Sequence, residues 1–363
     1  MFRSRTTRAI AGHAHALFRV AAWGALACAA GVCSAQTGAA APSAAVSPTP
    51  AAAPARPSVA VTFVVPAPEG SASDRIARIV AKALAGVLES PVQVKNLPGV
   101  EGVTGTNAIA RADRDGRTLG LGVGSAMVGG KLLSRVAEYN PLDSFDWLAI
   151  LGTYANAVVI HQNHSAKTFA QWIAAARASP RPLRYATVGL ATTGHIAGEF
   201  LHVAQHANLV HVSMPVTAQA YAALANGEID MLFDSVPAAR TAAKSGPFRI
   251  VAVTTQSRDP LLPDVPAFGE SWRDQQFYAW VGIIAPDHLP ADVRSRLAAA
   301  VGVVAADPRV VSALRDAGLG WLGLAGNDAS QFVRDELVRQ AKQIGDYSLQ
   351  RAEPGSRATA TSP

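Results

Sequence analysis

Apolar positions along the chain fall into two kinds of run, short continuous stretches and stretches at helical spacing. The first, Val59 to Val65, is rich in β-branched residues, ends at Pro66 and predicts a buried strand. A loop of small residues, Pro66 to Ser73, follows. Beyond it Ile76, Ile79, Val80, Ala83, Leu84, Val87 and Leu88 recur at the spacing of one helix face. Ser71 and Asp74 stand three apart at its start, and Ser73 is placed to cap its first free N–H groups. The chain therefore opens as strand, small-residue loop, helix.

The alternation continues. Strands are expected at Val92 to Val94, Leu119 to Val123, Val158 to Ile160, Arg184 to Thr187, Ile229 to Phe233 and Ile250 to Thr254. Helices are expected at Phe169 to Ala178, Gly194 to His206 and Tyr221 to Asn226, with Gly227 near a C-terminal cap. The region Pro290 to Gln350 reads as mostly helical, with helices at Val293 to Val304, Pro308 to Ala317 and Ala329 to Ser348. Strands alternating with helices predict an α/β architecture with mostly parallel sheets. No internal repeat of 20 to 50 residues is evident.

The ends read differently. Arg3, Arg5, Arg8 and Arg19 precede an apolar run from Val20 to Val32, then Cys33-Ser34-Ala35 before Gln36. This is the layout of a cleaved signal peptide over residues 1–35, with the protein exported. An uncleaved anchor is the alternative, although the run is short for a span of about 20 residues. Neither Cys28 nor Cys33 has a leucine three residues before it, so a lipoprotein site is a poorer match. Residues 36–57 are an Ala/Pro-rich linker and 352–363 a similar tail, both too poor in large apolar groups to build a core.

Cleavage would change two properties. Both cysteines would leave, taking with them any disulfide, thiolate metal site or cysteine nucleophile. The full chain has 32 basic and 26 acidic residues, a net charge of +6. Without the four N-terminal arginines it is 28 against 26, or +2, which is poor evidence for nucleic-acid binding. With 363 residues, 49% hydrophobic and 16% charged, the body is globular and long enough for two domains.

In open α/β sheets, ligands sit beyond the carboxyl ends of the strands. Three such ends carry small, mostly uncharged residues: Pro66 to Ser73, Gly122 to Ala126 and Thr187 to Thr193. Helix starts there would offer unpaired N–H groups and a positive dipole end. Hydroxyls of Ser71, Ser73, Ser125, Thr187, Thr192 and Thr193 would add donors. Such loops suit carboxylates without an arginine clamp, although glycine and serine are ordinary in α/β turns.

The segment VPAPEGSASDRIAR resembles the first ligand loop and helix of the Bug-type substrate-binding proteins of tripartite tricarboxylate transporters, whose pattern is close to VPFPPGGxxDxxAR. NLPGVEGVTG resembles their NRPGAGGxxG, and DGRTLGLGVGS their DGYTLLLGxxx. YNPLDSF, RYATVGLATTGHIAGEF, NGEIDMLFDS, LPDVPAFGES, IIAPDHLP and ADPRVVSALRDAG have counterparts in the same order, so the resemblance spans about Val59 to Gln350.

It implies a type II periplasmic-binding-protein fold, two α/β lobes with a ligand cleft between them. Lobe 1 would be residues 58–156 and 279–351, and lobe 2 residues 157–278, with crossings near Asn156 and Tyr278. The implied function is capture of a small carboxylate by cleft closure and delivery to membrane permease subunits of a tripartite transporter. A sensor that presents the solute to a membrane signalling protein is the alternative. The resemblance implies a monomer that is not an enzyme, with no cofactor, metal or nucleic-acid partner. Ligand contacts carried over by position are Ala67, Gly70, Ser71, Ser73, Ser125, Thr187, Gly189, Thr192, Thr193 and Asp234.

Departures point to a changed pocket. Ala67 replaces an aromatic, Glu69 a proline and Ser71 a glycine, and Val212 to Val216 replaces VPYKG. Loss of the aromatic opens space, and Glu69 in the pocket would disfavour a second anion or favour a cationic group. Glu69 pointing to solvent is the plain alternative. His195, Glu199, His202 and His206 fall on one helix face and could hold zinc, but they also read as a polar stripe beside Ile196 and Phe200. No G-x-S-x-G elbow is present, and Gly120, Gly122 and Gly124 make an incomplete dinucleotide fingerprint.

Overall fold

The computed structural model describes residues 60–347. The expected signal peptide, linker and tail lie outside them. Ten strands form one continuous sheet: β1 (Val61–Val65), β2 (Val92–Asn96), β3 (Thr118–Val123), β4 (Phe145–His161), β5 (Leu183–Thr187), β6 (Leu209–Ser213), β7 (Met231–Ser235), β8 (Phe248–Val253), β9 (Tyr278–Pro286) and β10 (Gly320–Leu324). The main order is β2-β1-β3-β9-β4-β7-β5-β6, with β8 and β10 also pairing to β4.

The outer pairs β1–β2, β1–β3, β5–β6 and β5–β7 are parallel, as βα alternation demands. The centre corrects the expectation of mostly parallel sheets. β9 runs antiparallel to β3 and β4, and β4 runs antiparallel to β7, β8 and β10. The cause is the 17-residue strand β4, of which only Val158 to Ile160 was expected. Its first half pairs with β9 and β10, and its second half with β7 and β8. One strand thus belongs to two sheet halves, and the chain returns to the first half along β9. This is a mixed α/β fold of two lobes joined at shared strands.

Apolar packing follows the same division. Helix Ala72–Leu88 buries Ile76, Ala77, Val80, Ala81 and Leu84, one stripe, against β1 and β3. Leu297, Val301 and Val304 of helix Ala291–Ala306 join that core. Another core holds Leu224, Leu232, Val236 and Val253 of the second half. The middle core spans both, from Trp147 and Trp280 to Trp172, Tyr185 and Phe268. Ser71, rather than Ser73, is the N-cap of the first helix. Its hydroxyl accepts the Asp74 N–H at 3.2 Å, while Ser73 already lies in the first turn and is buried. The helix expected over Gly194 to His206 runs Thr193–Glu199 and continues as a wider π-type turn, Phe200–Ala204.

Candidate ligand-binding cleft

The loop after β1 is shaped by one carboxylate. Asp74 Oδ2 accepts the Gly70 N–H and Arg78 Nε, both at 2.9 Å, and Oδ1 accepts Asn96 Nδ2 at 2.9 Å. Asn96 Nδ2 also donates to the Ala67 carbonyl at 3.1 Å. Burial raises the Asp74 carboxyl, but Arg78, the Gly70 N–H and Asn96 outweigh it, so the group stays below its usual range. Asp74 is thereby a charged knot that holds the loop open over the helix start. Helix geometry leaves the Ala72 and Ser73 N–H groups without intrahelical partners at that end.

The loop after β5 is held from behind by two histidines. Thr192 caps helix Thr193–Glu199 by accepting the His195 N–H, and its hydroxyl donates to the Gly189 carbonyl at 2.9 Å. His195 Nδ1 accepts the Ala191 N–H at 3.0 Å, fixing Ala191 at φ 57°. His211 Nε2 lies 2.8 Å from Thr187 Oγ1, whose proton goes to the Gly189 carbonyl. His211 therefore donates to Thr187, the wrong polarity for activating a nucleophile. Burial pushes His195 down to about 3, helped by His211, and pushes His211 down to about 4. Both are neutral scaffolding at neutral pH.

These loops face each other across one cavity of about 560 Å3, a size suited to a small ligand. Every residue expected at the site lines it: Ala67, Glu69, Gly70, Ser71, Ser73 and Ser125 on one wall, and Thr187, Gly189, Thr192, Thr193 and Asp234 on the other. Ser213, Pro215 and Val216, within or next to the altered VPYKG segment, line it too. Glu69 stands at the rim. Its side chain is 79% exposed and pairs with Arg78 at 2.9 Å. The walls also touch. A Cβ on Gly129 would come within 2.5 Å of the Ala191 Cβ, so the turn after β3 and the loop after β5 pack at glycine distance. Among the described residues no cluster of His, Cys, Asp or Glu could hold a metal ion.

Of the lining residues that were not expected, Tyr154, Asn156 and Glu101 bear most on its chemistry. Tyr154 and Asn156 come from the middle of β4. Asn156 Nδ2 donates to Thr193 Oγ1 at 2.9 Å, and the Tyr154 hydroxyl lies 3.5 Å from Ser73 Oγ. Burial raises the Tyr154 hydroxyl above its ordinary value. The third is Glu101, at φ 55° and ψ 27° in the turn before helix Val103–Ala110. Its position in NLPGVEGVTG matches a glycine of the family pattern, which is the signal that could have found it. Burial raises its carboxyl, and the Leu190 N–H of the opposite wall partly offsets that.

Asp234 is the penultimate residue of β7 and is 8% exposed. Its Oδ1 accepts the Ser235 N–H at 2.7 Å, while Oδ2 has no hydrogen-bond partner. Burial pushes its carboxyl up to about 6, against the Ser235 N–H, the Tyr221 hydroxyl and Arg75. The Tyr221 hydroxyl is near enough to steady the charge but lies outside hydrogen-bonding geometry. Chemically, the cleft offers helix-start amides and hydroxyls as donors and an unpaired buried oxygen as an acceptor.

Known proteins share this architecture. A family model described as "Tripartite tricarboxylate transporter family receptor" matches residues 76–349. A UPF0065 protein in the tcbD-tcbE intergenic region of a Pseudomonas species is 31% identical over 295 residues, covering 81% of this chain and 88% of that protein. An R. palustris protein solved with adipate is 25% identical with a TM-score of 0.74, over 79% of this chain and 97% of that one. MatC from Rhodopseudomonas palustris with bound malate is 25% identical with a TM-score of 0.69, over 78% of this chain and 98% of that one.

Proposed function

The chain belongs to the tripartite tricarboxylate transporter receptor family, and from that premise we propose that it is an exported solute-binding protein whose two lobes close over a small carboxylate. The observation that carries this reading is the convergence of two helix-start loops, after β1 and β5, on one cavity of about 560 Å3. Backbone N–H groups and hydroxyls there suit an anionic group without a basic side chain. Adipate and malate in the neighbouring structures support the same chemical class.

In this reading residues 58–156 and 279–351 form one lobe and 157–278 the other. The eleven expected site residues contact the ligand or the waters around it. The protein acts as a monomer and is not an enzyme. Closure is a population shift: ligand touches both walls only when the cleft is shut. Membrane permease subunits would then recognise the closed shape.

The test is a thermal-shift screen against mono-, di- and tricarboxylates, amino acids and aromatic acids. Ligand at 100 times its Kd adds about 2.7 kcal/mol. Scattering of a hit should show compaction. Silence across every carboxylate, or binding with no compaction, would sink the reading.

A further inference from the structure

The residues lining the cleft include three carboxylates, Glu69, Glu101 and Asp234, and among the described residues no lysine, arginine or histidine. Glu69 is largely solvated and already paired with Arg78. The other two differ from it. Asp234 Oδ2 is buried and unpaired on the second wall, so it awaits a donor. Glu101 projects from the first wall at a left-handed backbone position flanked by Gly99 and Gly102, which also have positive φ. Such a position favours glycine, and an L side chain there is strained.

Glu101 has two consequences for any ligand. The Leu190 N–H of the opposite loop is near enough to favour the Glu101 carboxylate, so that amide faces the protein's own anion. The same carboxylate sets a negative charge in the cleft wall, and like charges brought together in a desolvated cleft repel strongly. Arg75, on the first helix, donates to the Gly70 carbonyl at 2.8 Å, and its Nη2 is buried without a partner. Positive potential therefore gathers at the helix start, and negative potential at Glu101.

We propose that Glu101 is a specificity-determining residue that rejects a dicarboxylate and receives a cationic nitrogen, so that the ligand carries one carboxylate and one amine. The inference rests on the carboxylate-binding reading above. One end of the ligand meets the amides of Ala72 and Ser73, and the other meets Glu101.

The experiment uses matched pairs in which one carboxylate of a diacid becomes an amine. Succinate, glutarate and adipate are compared by calorimetry with 4-aminobutanoate, 5-aminopentanoate and 6-aminohexanoate, on the purified protein. The best amino acid should bind at least tenfold tighter than its diacid. Glu101→Gly, which relieves the left-handed strain, should fold and lose that preference by at least tenfold. Glu101→Gln keeps an acceptor for Leu190 and removes the charge. It should lose the preference too, which separates the charge from the acceptor that faces Leu190. A diacid that binds the unaltered protein as tightly as its partner overturns the inference and leaves the carboxylate reading standing. So does an amino-acid preference that both variants keep. Silence of the unaltered protein toward the pairs and the carboxylate screen overturns both.

Discussion

Asp234→Asn makes a prediction whose sign runs against the usual effect of removing a buried charge. The carboxyl is held up to about 6 by burial, against an ordinary value of 3.8. A group whose pKa is higher in the folded than in the unfolded chain favours folding while protonated. That contribution is complete below about 3.8 and is lost as pH rises through about 6. The displacement corresponds to about 3 kcal/mol of stability forfeited at pH 8 relative to pH 3. Asparagine cannot ionise, keeps an oxygen for the Ser235 N–H, and brings an amide toward the unpartnered Tyr221 hydroxyl. The unliganded variant should therefore be more stable than the unaltered protein at pH 8, by about 1–3 kcal/mol, a rise of about 2–4 °C in Tm per kcal/mol. The gain should shrink toward zero near pH 4. Ligand affinity should fall about tenfold or more, because an unpaired acceptor has been exchanged for a donor. Thermal melts of both proteins from pH 4 to 8, with and without ligand, measure all of this. A variant no more stable at pH 8, or a gain that is constant with pH, would show that burial does not hold this carboxyl up.

Two further substitutions separate the wall contact from the loop scaffold. Gly129→Ala places a Cβ 2.5 Å from the Ala191 Cβ, where the turn after β3 meets the loop after β5, so the two must move apart and affinity should drop about tenfold from obstructed closure. Unchanged affinity by calorimetry would mean the walls part at this point in the bound state. Ser71→Ala removes the N-cap of helix Ala72–Leu88 and should cost about 1 kcal/mol, read as a fall in Tm. A Tm equal to that of the unaltered protein would mean the cap is replaced by solvent.

The first strand, loop and helix were legible because β-branched runs, small residues and a 3.6 period coincide there. The parallel outer strands β2, β3, β5 and β7 were legible for the same reason, whereas β6 (Leu209–Ser213) was not expected. The centre was not. In β4, Gly152, Tyr154 and Asn156 break the apolar run, and Tyr278 to Pro286 carries no alternation that betrays its direction. Antiparallel pairing is a property of tertiary contact, and no local pattern encodes it. The same distinction governs the cleft. Loop residues such as Ser71 and Thr192 announce themselves by turn chemistry and by motif. Tyr154 and Asn156 face the cavity only because of how β4 is paired on both sides. Glu101 stands in a motif where a glycine was expected, but the significance of the change lies in its φ and in Leu190 across the gap. Glu69 shows the reverse, a charge prominent in sequence that the fold turns outward to Arg78.

The pairing of β3 with β9 also dictates a timetable. Gly120 finds its partner in Ile284, and Trp147 in the same residue from the other side. A chain emerging from the ribosome has made β1, β2, β3 and β4 long before that partner exists. Its first half must wait, incomplete and with an open strand edge, until the whole of the second half has been synthesised. Contacts so distant in sequence close slowly. Were the chain to cross a membrane as an extended thread, as the proposed export requires, this delay would be an asset: the fold cannot lock until β9 is available on the same side.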